Sequence, residues 1–150
     1  MKIAIGADHA GFRLKARLVK WLKSAAGGRH QVKDFGTGDP NSCDYPDYAA
    51  AVARAVSKGR VSRGILLCGT GIGMAIAANK FRRVRAAVAW NPATAALAAE
   101  HNGANILCPP ARFIGTKTAQ TMIRLFLKTP FGGGRHARRL RKIKELDRCA

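Results

Sequence analysis

Residues 64–73 read Gly64-Ile65-Leu66-Leu67-Cys68-Gly69-Thr70-Gly71-Ile72-Gly73, an apolar run that passes into a loop with a glycine at every second position. A continuous apolar run of this length suits a central parallel strand covered by helices on both faces. The glycines make a tight turn, and Met74 to Lys80 behind it reads as a short helix. Strand, glycine turn and helix in this order form the repeating unit of doubly wound α/β sheets.

Working outward, the same alternation recurs on both sides. Lys2 to Gly6 reads as a buried strand, and Gly11 to about Ala26 as a helix carrying Leu14, Leu18 and Leu22 four apart. Arg13, Lys15, Arg17, Lys20 and Lys23 are expected on its solvated sides, and Gly27-Gly28 ends it. Gln31 to Phe35 is a short strand. Pro46 opens a helix with the stripe Tyr48, Val52 and Val56. Downstream, Ala86 to Trp90 is a strand, Asn91-Pro92 caps a helix to about His101, and Asn105 to Cys108 is another strand. Ile114 to Leu127 is a helix, and Gly132-Gly133-Gly134 precedes a basic terminal helix at about 134–147. No hairpin signal interrupts the pattern. The expectation is a Rossmann-like three-layer sandwich: about five parallel strands, helices on both faces, and one domain over residues 1–150. In such sheets ligands bind at the carboxyl ends of strands, which directs attention to the loops after Gly6, Cys68 and Trp90.

Composition narrows the possibilities. The chain has 150 residues, 47% hydrophobic and 23% charged, which describes a globular protein. No run approaches the ~20 apolar residues of a membrane span, and the apolar start is too short for a signal peptide. A soluble cytoplasmic protein is expected. Twenty-seven Lys and Arg against eight Asp and Glu give a net charge of +19, which favours anionic partners, either phosphorylated metabolites or nucleic acid. Cys43, Cys68, Cys108 and Cys149 form no C-x-x-C pair and have no closely spaced histidine, so neither zinc nor a disulfide framework is expected.

Chemistry-bearing residues cluster at the same loops. Gly6-Ala7-Asp8-His9-Ala10-Gly11-Phe12-Arg13 has the outer glycines of a P-loop, but Phe12 and Arg13 replace its Lys and Ser/Thr, which argues against nucleoside triphosphates. Asp8 and His9 are either a helix cap beside a surface histidine or two functional groups side by side. The glycine loop lacks the third glycine of a dinucleotide fingerprint, since Met74 stands there. No acidic residue occurs between Asp47 and Glu100 to hold a ribose. What remains is a loop of backbone N–H groups leading into a helix, suited to an anion. Cys68, before that loop and among cations, sits where a thiol becomes a thiolate able to act as base or nucleophile. Glu100-His101-Asn102 closes the fourth helix, where a histidine can face the strand ends or simply complement the helix dipole. Arg135 and Arg139 stand four apart on the last helix and could grip one phosphate, or belong to a solvated basic tail with Arg138, Arg141 and Lys142.

Taken in order, M-K-I-A-I-G-A-D-H-A-G-F, D-Y-P-D-Y-A, C-G-T-G-I-G, E-H-N and G-G-R-H-A-R-R-L give the chain a family resemblance. It resembles, over essentially its whole length, the sugar-phosphate isomerase family of the type B ribose-5-phosphate isomerases, which includes galactose-6-phosphate isomerase subunits. The resemblance implies a Rossmann-like sheet, a homodimer or tetramer with shared active sites, a small phosphorylated sugar as substrate, and no metal or cofactor. It further implies that Cys68 is the base moving a proton between C2 and C1, and that His101, assisted by Asp8, opens the furanose ring. Gly69, Thr70, Gly71, Ile72 and Gly73 match the hole that holds the enediolate oxygens. His9, Arg135 and Arg139 match phosphate contacts, and Tyr45, Asn102 and Arg112 further substrate contacts. The chain departs from the family at Gly103, usually Asp, at Cys108-Pro109-Pro110, usually Cys-Leu-Gly, and at Trp90-Asn91-Pro92. The expected activity is interconversion of ribose 5-phosphate and ribulose 5-phosphate. The alternatives are a six-carbon isomerase acting on allose or galactose 6-phosphate, and a catalytically idle basic scaffold that binds nucleic acid. The surplus charge predicts non-specific adhesion to polyanions under any of the three.

Overall fold

In the computed structural model, which describes residues 1–146, five strands and six helices alternate as the apolar pattern requires. The order is β1 (Lys2–Ala7), α1 (Phe12–Lys23), β2 (Gln31–Asp34), α2 (Tyr45–Ser57), β3 (Arg63–Leu67), α3 (Ile72–Ala78), β4 (Ala86–Val88), α4 (Pro92–Asn102), β5 (Ile106–Cys108), α5 (Thr116–Lys128) and α6 (Gly134–Leu146). The expected end of the last helix at 147, and Cys149, lie outside the described residues.

All pairings are parallel, and the strand order is β2-β1-β3-β5-β4. Alternation along each strand sends side chains to two cores. Ile3, Ile5, Ile65, Leu67 and Leu107 meet Leu14, Leu18 and Leu22 of α1, Ala95 and Ala98 of α4, and Met122, Ile123 and Phe126 of α5. Ala4, Leu66, Cys68, Ile106 and Cys108 face Val52 and Val56 of α2 and Met74, Ala75 and Ala78 of α3. This is the expected three-layer sandwich. From β1 the chain leads outward to β2, and from β3 the other way to β4. The carboxyl ends of β1 and β3 therefore flank the topological switch point, where two loops diverge and leave a crevice.

One expectation about a helix face fails. Lys15 is buried, not solvated, and its ammonium is ion-paired with Asp34 at the end of β2. A lysine flanking a leucine stripe goes inside once a carboxylate from another element meets it. The entry to α4 matches its reading closely. The Asn91 side chain accepts from the Thr94 N–H (2.9 Å), and Thr94 Oγ1 accepts from the Asn91 N–H (3.3 Å), a reciprocal cap with Pro92 in the first turn.

Candidate active site

The crevice is assembled from loops that hydrogen-bond one another. The Asp8 N–H donates to the Leu67 carbonyl (3.1 Å), joining the ends of β1 and β3. Asp8 is buried, and its Oδ1 accepts from the N–H groups of Ala10 (2.9 Å) and Gly11 (3.1 Å). One Asp8 carboxylate oxygen thus closes the turn ahead of α1 and does not cap the helix, whose N-cap is Gly11 with no side-chain bond. His9 beside it accepts the Cys43 N–H at Nδ1 (3.3 Å), which fastens the loop before α2 over β1.

Cys68 leaves β3 as a single bridge residue paired with Pro110. Its side chain is buried, and Sγ accepts the Gly71 N–H at 3.1 Å, so a backbone dipole points at the sulfur. The turn requires glycine at 71. Its φ is +80°, and a Cβ there would stand 2.3 Å from the Cys108 carbonyl oxygen. At Gly73 a Cβ would fall 2.6 Å from Tyr45 Cζ, so the absent side chain is what lets the Tyr45 ring lie against the loop. The loop also consumes some of its own donors. Gly71 N–H goes to sulfur and Ile72 N–H to Thr70 Oγ1 (3.3 Å), while among the described residues no acceptor meets the N–H groups of Thr70 and Gly73. The loop's own bonds therefore leave fewer free backbone donors than the run from Gly69 to Gly73 contains.

The Pro109-Pro110 segment presents Arg112 to this loop. Ala111 N–H donates to the Cys68 carbonyl (2.9 Å) and Arg112 N–H to the Gly69 carbonyl (3.1 Å), and the Arg112 side chain lies over Gly69. Cys108, fully buried beneath, has its thiol pushed up by burial and by neighbouring Cys68. Asp8, His9, Tyr45, Cys68, Gly69, Thr70, Gly71, Ile72, Gly73 and Arg112 thus share the carboxyl edge of the sheet.

His101, Asn102, Arg135 and Arg139 do not join them. The expectation that His101 faces the searched strand ends is corrected by topology. In a parallel sheet each helix runs back, so the end of α4 lies at the amino edge. Gly103, which caps α4, accepts from Arg85 Nε (2.8 Å) just ahead of β4, and Gly132 N–H holds the Glu100 carbonyl (2.9 Å) just ahead of α6. Five residues of β3 at ~3.3 Å each put roughly 17 Å of sheet between this edge and Cys68.

At the amino edge the structure adds a residue that sequence reading did not select. The His136 ring stacks on His101 with centroids 4.2 Å apart and planes 8° apart. Desolvation, then the cations of His101, Arg135 and Arg139, pull His136 below the ordinary histidine value, with Glu100 alone opposing. The only available signal was its place beside Arg135 within R-H-A-R-R.

Fold and site together define an α/β enzyme of the switch-point type, organised around a thiol and a glycine loop. The chain belongs to the Ribose/Galactose Isomerase family, whose model matches residues 3–143. It is 42% identical over 146 residues to ribose-5-phosphate isomerase B of Escherichia coli, covering 97% of this chain and 96% of that one. Among solved structures, ribose-5-phosphate isomerase B of Clostridium thermocellum superposes with a TM-score of 0.94 at 46% identity, covering 99% of this chain and 98% of that one. The Mycoplasma genitalium enzyme, solved with bound ribulose-5-phosphate, gives 0.92 at 40% identity over 98% and 96%.

Proposed function

We propose that this chain is one cytoplasmic isomerase domain that interconverts ribose 5-phosphate and ribulose 5-phosphate without metal or cofactor, as a dimer with sites shared between copies. The observation that carries the reading is Cys68 at the switch point, its sulfur held by the Gly71 N–H within a loop that still offers donors. Aldose–ketose isomerisation needs a base poised between two adjacent carbons and donors aimed at the oxygen where charge develops. Cys68 takes the proton from C2, leaving an enediolate, and returns it to C1 as the hydroxyl proton of O2 passes to O1. The free N–H groups of Thr70 and Gly73 hold the enediolate oxygens, Tyr45 and Arg112 border the sugar, and His9 approaches its phosphate.

His101, Asn102, Arg135 and Arg139 serve the same reaction from a second copy. They cannot reach Cys68 of their own chain across the sheet, but an isologous interface brings one copy's amino edge to the other's carboxyl edge. There His101, with Asp8 facing it, opens the furanose ring, and the two arginines grip the phosphate. Exposed apolar side chains suit such a contact: Ile72 and Ile76, one turn apart on α3, are 49% and 59% exposed.

The test is turnover over a panel of ribose, allose and galactose phosphates. Ribose 5-phosphate is expected to give the highest kcat/KM. A preference for a six-carbon sugar would move the assignment within the family, and no turnover of any aldose phosphate would overturn it.

A further inference from the structure

The surplus positive charge is not spread evenly. At the amino ends of β3 and β4, Arg63 and Arg85 line one recess of ≈ 340 Å³, walled by Phe131 and Leu140. It shares Arg85, Phe131 and Leu140 with a wider cleft of ≈ 810 Å³ beneath α6, where Arg82, Arg83, Arg141 and Lys144 add to the lining. Among the described residues no carboxylate lines either part.

The two guanidinium groups are held in place but not neutralised. Arg85 N–H donates to Asn105 Oδ1 (2.8 Å), Asn105 Nδ2 to the Arg83 carbonyl (2.7 Å), and Arg85 Nε to the Gly103 carbonyl (2.8 Å). These bonds fix the Arg85 fork and leave its terminal nitrogens uncommitted. Arg63 Nη1 donates to the Ser62 carbonyl (3.0 Å), while Arg63 Nε is buried with no hydrogen-bond partner. Among the described residues neither arginine is in a salt bridge. Burial and the charge of Arg63 also pull Arg85 below the ordinary arginine value. Like charges partly withdrawn from water, together with an unmet buried donor, are unfavourable. A single anion between the two guanidinium groups would offset their repulsion, because planar forks bind phosphate oxygens with directed hydrogen bonds.

We propose that the Arg63–Arg85 recess is a second anion site, for a small molecule carrying one or two phosphate groups, separate from the clamp of Arg135 and Arg139. Its volume suits a compact ligand. The two guanidinium groups share one recess and are not strung along an open stripe with stacking aromatics, which favours a small anion over a nucleic-acid strand.

The experiment titrates inorganic pyrophosphate by calorimetry into the full chain carrying Arg139→Ala, which weakens the clamp. Adding Arg85→Gln should weaken the remaining binding about tenfold or more, the loss expected for a charged hydrogen-bonding partner. Arg63→Gln should do likewise, and thermal unfolding without ligand checks that each variant folds. In the otherwise wild-type chain, Arg85→Gln should leave the sugar-phosphate KM unchanged. Undiminished pyrophosphate binding in both variants would overturn the proposal. So would conversion of a dimer to monomers by Arg85→Gln, which would make the recess a subunit contact. Displacement of pyrophosphate by a short oligonucleotide, with a steep salt dependence, would make it a polyanion face and equally sink the idea.

Discussion

The two edges of the sheet are built by different means. At the carboxyl edge the site is mostly backbone: a buried thiol, one carboxylate and a glycine loop whose shape is dictated by the Gly71 φ of +80° and the Cys108 carbonyl beneath it. At the amino edge it is side chain: two stacked histidines and a field of arginines supplied by α4 and α6. The first edge suits a fixed arrangement that meets charge as it develops, the second suits holding a phosphate. On the proposed reading the two edges that form one sugar-phosphate site come from two copies of the chain.

The comparison breaks most readily at Cys68. Cys68→Ala should lower kcat on the order of 10³-fold, as expected for a catalytic base, with phosphate affinity nearly unchanged. Retention of more than a tenth of turnover would remove the thiol from the chemistry. At the other edge, Arg139→Ala should weaken sugar-phosphate binding by about 2 kcal/mol, whereas Arg141→Ala, on the cleft side of α6, should change KM little. Equal effects would turn the clamp into a diffuse basic field.

Smaller effects separate stability from chemistry. Asp34→Ala leaves Lys15 buried without its partner and should cost roughly 2 kcal/mol in denaturant unfolding. Adding Lys15→Met should recover most of that, since an apolar side chain needs no counter-charge. Full stability in the single variant would mean that the ion pair contributes little. His136 sets the slightest effect. Its folded value lies below its unfolded one, so the unfolded chain binds the proton more readily. The stability of the neutral ring is complete at pH 7 and declines as pH falls below about 6.5. His136→Asn should therefore lose less Tm than the wild type between pH 7.5 and 5.5, and parallel curves would contradict this.

Most of the fold was legible because it rests on local signals. The run 64–68, the leucines of α1 and the Asn91-Pro92 cap each specify an element without help from afar. The carboxyl half of the site was legible for the same reason, since Asp8, His9 and the glycine loop directly follow strands. What escaped depends on contacts between distant elements. Lys15 goes inside only because Asp34 arrives from β2, and His136 stacks on His101 only where α6 meets the end of α4. The edge on which His101 lies follows from helices running back along a parallel sheet.

The shared site can be tested by mixing two inactive chains. Cys68→Ala keeps an intact amino edge and His101→Asn an intact carboxyl edge. Random pairing by unfolding and refolding together at equal amounts yields half mixed dimers, each with one intact site. Activity should return to about a quarter of wild type, as isologous symmetry requires. A mixture no more active than the two variants measured separately would contradict the account.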